Sequence, residues 1–275
     1  MLPDFEFRQV RTIAAKEFRD RIRNRWVLAV ALVFTVFALV IAYFGAAQQG
    51  SVGFHSIDVT IASLVSLVIY LIPLIALVLG FDAIVGERER GSLDLLLSMP
   101  ITRLELLLGK YLGLAAALTT STVAGFGIVG LILSAQMPLA SLFHYAGFMF
   151  SSILLGMAFL ALAVLLSTIA SDRTRASGGA IALWFFFVLV FDLLILGALV
   201  ASGGEYGGQI FPYLLLLNPA DIFRILNIFS MEEVRTLYGL ATVFPEALAN
   251  PWLLSGFMVL WIVAPLFIAA RRFGK

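Results

Sequence analysis

The chain has 275 residues, of which 61% are hydrophobic and 13% are charged, and its mean hydropathy is +1.04. Soluble domains are nearer to half apolar and a quarter charged, so this composition excludes a water-soluble globular protein and indicates that lipid surrounds most of the chain. A formal net charge of +1, with the basic residues spread between separate segments, gives no sign of nucleic-acid binding, and the lack of cysteine excludes disulfides and thiolate metal sites.

Residues 1–25 predict an amphipathic helix that lies along the membrane surface. Five apolar side chains recur at three- and four-residue spacing and form one stripe: Phe7, Val10, Ala14, Phe18 and Ile22. Four basic side chains of the same segment can face anionic headgroups or an acidic partner: Arg11, Lys16, Arg19 and Arg23. The segment is therefore expected to be an interfacial helix.

Six apolar runs are long enough to cross a bilayer, which takes about 20 residues. Because backbone in lipid must satisfy its own hydrogen bonds, each run is predicted to be a helix, which makes the fold an all-α integral membrane protein. The runs are 27–47, 59–85, 106–135, 142–170, 176–201 and 252–270. Small residues after the first run are typical of signal-peptide cleavage, but its length and the charged segment before it favour an uncleaved anchor.

The positive charges are segregated. All of the 18 lysines and arginines except Arg224 and Arg235 fall on one side of a six-span protein. The positive-inside rule then predicts that both termini, including the basic tail of 251–275, are cytoplasmic in a bacterial inner membrane.

The connection between the second and third runs begins with "GERERGSLDLLLSMP" and predicts one short amphipathic helix at about 86–100. Its leucines would be buried on one side: Leu93, Leu95, Leu96 and Leu97. Its charges would be presented near its start: Glu87, Arg88, Glu89 and Arg90. After Pro100, Thr102 and Glu105 have the spacing of a capping box, so the third span is expected to begin at a firm boundary. Two interpretations stay open, a lever pushed by a partner and a helix resting in lipid headgroups.

Asp192 lies inside the fifth run, where a charge is costly and often functional. A structural hydrogen bond and a role in gating or coupling are both compatible with it. Copper would require methionine or histidine ligands, and the candidates are spread as in ordinary core packing: Met137, His144, Met149 and Met157. No metal site is therefore predicted.

The segment 202–250 is too long for a simple turn. Residues 210–217 are apolar but too short to span, so they are expected to dip into the membrane and return. Asn218 has the position of an N-cap, Pro219 of the first helical residue and Asp221 of the first turn, and Phe223 and Arg224 follow on the same helix. These five residues form either a periplasmic platform that binds a protein or a plug of the outer mouth of the bundle.

The chain lacks a phosphate-binding loop, because "LLLGKYLG" has neither the upstream glycine nor the following Ser/Thr. No cofactor is therefore expected on this chain, and ATP would be used by another subunit. A proton-coupled carrier would need ionisable groups along several spans, and only Asp192 is central. An intramembrane enzyme would need clustered catalytic groups, which the sequence does not contain, so a non-catalytic subunit is predicted.

The string "VGERERGSLDLLLSMPITRLELLLGKYLG" resembles the segment after the second membrane helix of ABC-2 type permeases, the membrane subunits of ATP-binding-cassette transporters. In that family an acidic residue, Gly-Ser/Thr-Leu, a leucine run and Pro-Ile/Leu form a coupling helix that docks on the ATPase subunit. The resemblance implies a type V exporter-like, homodimeric permease with ATP and Mg held by the partner. It assigns ATPase coupling to Glu87, Arg88, Glu89, Arg90, Gly91, Ser92, Leu93, Leu96 and Pro100.

Two shorter strings, "LLLLNPADIFRILNI" and "RNRWVLAVAL", are similar to the branch of this family that serves maturation of the copper enzyme nitrous oxide reductase. That resemblance implies a solenoid-type periplasmic accessory protein as a further partner. Three possibilities stay open for the transported species: copper, a sulfur species, or none. In the third, the permease would only transmit force to its outer partner. An ABC-2 exporter of another small molecule or lipid is the alternative.

Overall fold

A computed structural model describes residues 5–44, 57–134, 139–201, 211–228, 248 and 250–274 of the chain. The regular structure in these ranges is helical, as predicted. The elements in chain order are α1 (Phe7–Arg23), α2 (Trp26–Phe44), α3 (Ile57–Gly80), α4 (Val85–Glu89), α5 (Ser92–Leu97), α6 (Arg103–Ser134), α7 (Leu139–Ile169), α8 (Arg173–Phe185), a π-helical turn (Phe186–Val190), α9 (Phe191–Ala201), α10 (Phe211–Leu214), a 3-10 turn (Leu215–Leu217), α11 (Pro219–Ile228) and α12 (Pro251–Phe273).

Six helical segments of the described chain are long and apolar enough to cross a membrane, which confirms the predicted number of spans. They are α2, the segment Thr60–Glu89 that contains most of α3 and all of α4, α6, α7, the continuous segment from α8 to α9, and α12. Arg103, at the start of α6, donates to the carbonyl oxygen of Phe273 at 2.8 Å, and the backbone N–H of Glu6 donates to Glu105 at 2.5 Å. The first and last helices therefore reach the same end of the bundle, called the basic end below, as an even number of spans requires.

Helix α7 is the centre of the bundle and packs against α3, α6, α11 and α12. A row of aromatic rings crosses this core from α2 to α11. The ring centroids of Phe34 and Phe126 lie 5.1 Å apart, those of Phe126 and Phe148 5.4 Å, and those of Phe148 and Phe223 6.2 Å. Such ring pairs add to the free energy of burial, so the row ties four helices together at one level.

Helix α1 packs against α6 with a face that differs from the predicted stripe. Val10 and Glu17 are buried, whereas Phe7 and Ile22 are exposed, so only part of the predicted stripe packs against α6. The reason lies on α6, where Gly109 and Gly113 let α1 come close. A Cβ atom on Gly113 would lie 2.6 Å from the backbone oxygen of Ala14, and one on Gly109 would lie 2.6 Å from the Cβ of Ile13.

The fifth span contains a π-helical turn that the apolar run did not predict. Asp172 caps its start by accepting a hydrogen bond from the backbone N–H of Arg175 at 2.8 Å. Within the turn, the carbonyl oxygen of Phe187 accepts from the side chain of Asn218 at 2.8 Å. A π turn shifts the backbone hydrogen-bond register, and a neighbouring side chain can satisfy a carbonyl that this shift frees.

Candidate functional site

The segment 81–102, called the elbow below, contains two short helices where the sequence predicts one. Gly91 separates α4 from α5 and has φ +68°, a left-handed conformation that ends a helix and favours glycine. Leu93 is buried against the bundle core, whereas the side chains of Leu95, at 66% exposure, and Met99 face outward. The elbow therefore buries one leucine as an anchor and presents an apolar tip.

Glu87 faces inward and takes part in a buried ion cluster. The Nζ of Lys110 on α6 lies 2.9 Å from Oε1 of Glu87 and 3.3 Å from Oε2 of Glu17 on α1. The side chain of Lys110 is only 7% exposed. Ser92 donates a short hydrogen bond to Glu87, and Arg21 pairs with Glu17 at 3.0 Å. This cluster, called the latch below, joins α1, α6 and the elbow.

Three neighbouring side chains of Glu87 favour the ionised form of its carboxylate. Ser92 and Lys110 donate hydrogen bonds to its carboxylate, and the guanidinium of Arg90 lies 3.6 Å from it. An ionised carboxylate at this position balances the charge of Lys110.

Arg88 and Ser167 join the elbow to the end of α7. The guanidinium of Arg88 donates to the carbonyl oxygen of Ala170 at 2.9 Å and to that of Thr168 at 3.3 Å. In return, the hydroxyl of Ser167 accepts from the backbone N–H groups of Ile84 and Val85 at 2.9 and 3.0 Å. These bonds satisfy carbonyls at the C-terminus of α7 and donors at the start of α4.

The elbow also contacts the start of α8. The backbone N–H of Arg173 donates to Glu89 at 2.7 Å, and the guanidinium of Arg173 donates to Asp82 at 2.9 Å. Gly86 makes room for this pair, because a Cβ atom there would lie 2.3 Å from the carboxylate of Asp82. The three charged residues Glu87, Arg88 and Glu89 thus hold the elbow to three neighbouring helices.

The predicted capping box at the start of α6 is confirmed. The backbone N–H of Thr102 donates to Glu105 at 2.6 Å, and the backbone N–H of Glu105 donates to the hydroxyl of Thr102 at 3.2 Å. Glu105 also accepts from Glu6, so the cap fixes both the start of α6 and the entry to α1. The elbow is therefore held at each of its ends.

A second polar cluster lies at the other end of the bundle, called the far end below. Asn218 caps α11 by accepting from the backbone N–H of Ala220 at 2.9 Å, as predicted, and it donates to Asp221 at 2.8 Å. Arg224 pairs with Asp221 at 2.5 Å and with Asp192 of α9 at 3.1 Å. Asp192 and the residues predicted on α11 thus form one cluster, which the sequence did not reveal.

The residues predicted as a platform lie inside the described bundle. Asn218, Pro219, Asp221 and Phe223 are buried, and only Arg224 is partly exposed. The cause is packing of α11 against α7, where Asn227 and Ser151 exchange hydrogen bonds at 3.0 and 3.2 Å. Within the described residues, four of these five side chains pack into the bundle, which agrees with the alternative of a plug, while the platform stays a prediction.

The latch residues Glu17 and Lys110 and the connector Ser167 were missed by sequence reasoning. Glu17 continues the spacing of Val10 and Ala14 on the packed face of α1, which is a signal for a buried acid. In the described ranges, no group of three or more His, Cys, Asp or Glu residues could hold a metal ion. Met137 and Arg235 lie outside the described residues.

Comparison with known proteins agrees with the geometry. The family model described as ABC-2 family transporter protein matches residues 11–275. A protein of Pseudomonas aeruginosa named "Probable ABC transporter permease protein NosY" is 47% identical over 270 residues, which cover 96% of this chain and 97% of that protein. A protein of Stutzerimonas stutzeri with the same name is 45% identical over 274 residues, which cover 97% and 98%. The chain belongs to the ABC-2 family of transporter proteins and is a permease subunit similar to NosY.

Proposed function

We propose that the elbow is the contact through which a separate ATP-binding-cassette subunit, similar to NosF, drives this permease. In this proposal the basic end is cytoplasmic, the membrane is the bacterial inner membrane, and ATP and Mg are held by the partner. The NosY names of the two relatives agree with the resemblance of the short strings, and together they favour a role in copper-site maturation of nitrous oxide reductase with a NosD-like periplasmic accessory protein. The family resemblance adds a second copy of this chain.

The main observation behind the proposal is that the elbow exposes an apolar tip while hydrogen bonds and ion pairs fix the rest of it to the bundle. Leu95 and Met99 are exposed beside Pro100, and a soluble partner can bury them. Glu87, Arg88 and Glu89 bind the bundle and hold the tip in place. In this proposal Leu95 and Met99, which the predicted coupling set did not include, contact the ATPase. Glu87, Arg88 and Glu89 of that set transmit the movement to the bundle.

The movement has a direct route to the far end. Helix α7 spans 31 residues, and its C-terminal end is bonded to the elbow through Ser167. Nearer its N-terminal end, Phe148 contacts the ring of Phe223 and Ser151 bonds Asn227, both on α11. A displacement of the elbow would thus be passed by a packed helix to α11, and from there to whatever binds or passes at the far end.

The test compares Leu95→Glu with Leu95→Met in the permease purified with its ATPase. Because apolar interface anchors typically contribute about 2 kcal/mol, the glutamate variant is expected to weaken assembly roughly thirty-fold and to lower ATPase activity. The methionine variant keeps the apolar contact and is expected to behave as the parent. Normal assembly and activity of Leu95→Glu would refute the proposed docking.

A further inference from the structure

An apolar groove lies on the surface of the bundle between α7, the 3-10 turn and α12. Its volume is about 460 Å³, within the range of about 300–1,000 Å³ that is usual for small-molecule sites. Three elements form its walls, with Leu162 from α7, Leu216 from the 3-10 turn, and Phe257, Leu260, Ala264 and Ile268 from α12. Leu260 and Ile268 are 56% and 48% exposed, so the groove opens sideways toward the lipid.

The groove runs through the half of the membrane-spanning bundle that adjoins the basic end. Near the middle of α12, Nε1 of Trp261 donates to the carbonyl oxygen of Leu216 at 3.2 Å, so the 3-10 turn lies at that level. Toward the basic end the lining stops at Ile268, one to two turns before α12 ends at Phe273. The stretch from Phe257 to Ile268 corresponds to about 17 Å of helix, and the hydrocarbon of one leaflet is about 15 Å thick. The groove therefore matches the depth of one leaflet.

Two exposed arginines follow the groove at the basic end. Ala264 and Ile268 lie four residues apart on one face of α12, and Arg272 continues the same row by one more turn. Arg271 lies beside it, with its Cζ 4.3 Å from the centroid of the Phe267 ring. Both arginines are exposed. The apolar row thus ends in two positive charges at the level of the lipid headgroups.

We infer that this groove holds one acyl chain of an anionic phospholipid from the leaflet at the basic end, with the phosphate of that lipid at Arg271 and Arg272. The lining suits a hydrocarbon chain, because it would leave a polar ligand without hydrogen-bond partners. Guanidinium groups bind phosphate oxygens through charge-assisted hydrogen bonds, and basic clusters beside a membrane helix attract anionic headgroups. A chain in the groove contacts α7, the 3-10 turn and α12 together, which distinguishes this lipid from those that surround a single helix.

The competing occupants are a second copy of this chain and a further segment of the same chain. Either would fill the groove with side chains and exclude phospholipid, so a binding measurement separates them from lipid. The inference is independent of the proposed contact with the ATPase, because the groove and the elbow share no residue.

Native mass spectrometry of the detergent-purified full chain tests the site by counting the phospholipids it retains. The parent is expected to retain one phosphatidylglycerol per chain, and to retain it roughly tenfold better than phosphatidylcholine. Ala264→Trp fills the groove and is expected to lose this lipid. Val263→Trp adds the same side chain at an exposed neighbouring position outside the lining and is expected to keep it. Equal retention or equal loss by the two tryptophan variants, or no retained lipid in the parent, would overturn the inference.

A second pair of variants tests the headgroup. Arg271→Gln combined with Arg272→Gln is expected to abolish the preference for phosphatidylglycerol, whereas Arg11→Gln combined with Arg19→Gln removes the same charge from α1 and is expected to preserve it. An unchanged preference in the first pair would refute the position of the phosphate. Thermal unfolding in detergent shows that each variant is folded. Added phosphatidylglycerol should raise the unfolding temperature of the parent and of Val263→Trp, and leave that of Ala264→Trp unchanged.

Discussion

Lys110 of α6 donates to Glu87 of the elbow at 2.9 Å, and both side chains are largely buried. The same ammonium lies 3.3 Å from Glu17 of α1. One cation of α6 thus binds both α1 and the elbow, in addition to the other polar contacts of these two segments. A buried charge of this kind does not make a protein stable by itself, but losing Lys110 leaves two largely buried carboxylates with fewer positive partners.

Removing the cation is therefore expected to loosen the elbow. Lys110→Met leaves Glu17 and Glu87 without their shared partner and should destabilise the packing of α1 and the elbow by roughly 3–5 kcal/mol. Faster limited proteolysis at the elbow of the detergent-purified protein measures this. Lys16→Met is the control, because Lys16 is exposed and forms only an i,i+4 pair with Asp20, worth less than about 1 kcal/mol. Equal protection of both variants would show that the latch is not structural.

Two glycines of α6 allow the same substitution to be compared at a packed position and at an open one. Gly113→Ala places a Cβ atom 2.6 Å from the backbone of α1 and should destabilise the protein by about 1–3 kcal/mol. Gly127→Ala meets nothing within 4 Å and should stabilise the same helix by about 0.5–1 kcal/mol. Thermal unfolding in detergent is expected to shift in opposite directions. A shift in the same direction would argue against close packing of α1 on α6.

Ser167 carries two hydrogen bonds from the elbow. Ser167→Ala leaves the buried N–H groups of Ile84 and Val85 without this acceptor and should cost about 1–3 kcal/mol. Ser98→Ala, at an exposed hydroxyl within the elbow, should change stability by less than about 0.5 kcal/mol. Hydrogen exchange at residues 84 and 85 reports the difference. Unchanged protection there in Ser167→Ala would contradict the tie between α7 and α4.

At the far end, Arg224 and Asp192 form an ion pair, but they are expected to contribute unequally to stability. Arg224→Gln deprives Asp221 of its cation, and the side chain of Asp221 is nearly inaccessible. Asp192→Asn leaves the pair between Arg224 and Asp221 in place. The arginine variant is therefore expected to lower the unfolding temperature more than the asparagine variant, and the double variant should be less destabilised than the sum. Strict additivity would mean that Asp192 and Arg224 do not interact.

Local patterns in the sequence predicted the features that depend on neighbouring residues. The six spans follow from run length, the box of Thr102 and Glu105 from a three-residue spacing, and the cap at Asn218 from the proline after it. Each of these features depends only on a short continuous segment of the sequence and on the solvent around it. All are present in the structure.

The contacts that join distant segments could not be predicted in this way. Lys110 and Glu17 are 93 positions apart, and nothing local to either residue specifies the other. The charges of the elbow resembled a solvated cluster because sequence spacing does not show which side a neighbouring helix covers. In lipid, moreover, outward and inward faces are both apolar, so the packed face of α1 was set by Gly109 and Gly113 of another helix.

The central claim is that the apolar tip of the elbow docks on an ATPase subunit. A photo-crosslinking phenylalanine analogue at Met99, in membranes that contain both subunits, tests this most directly. Leu131, exposed on the α6 span away from the elbow, is the control position. The account predicts an ATPase adduct from position 99 and none from position 131. Adducts of position 99 with lipid alone would contradict it.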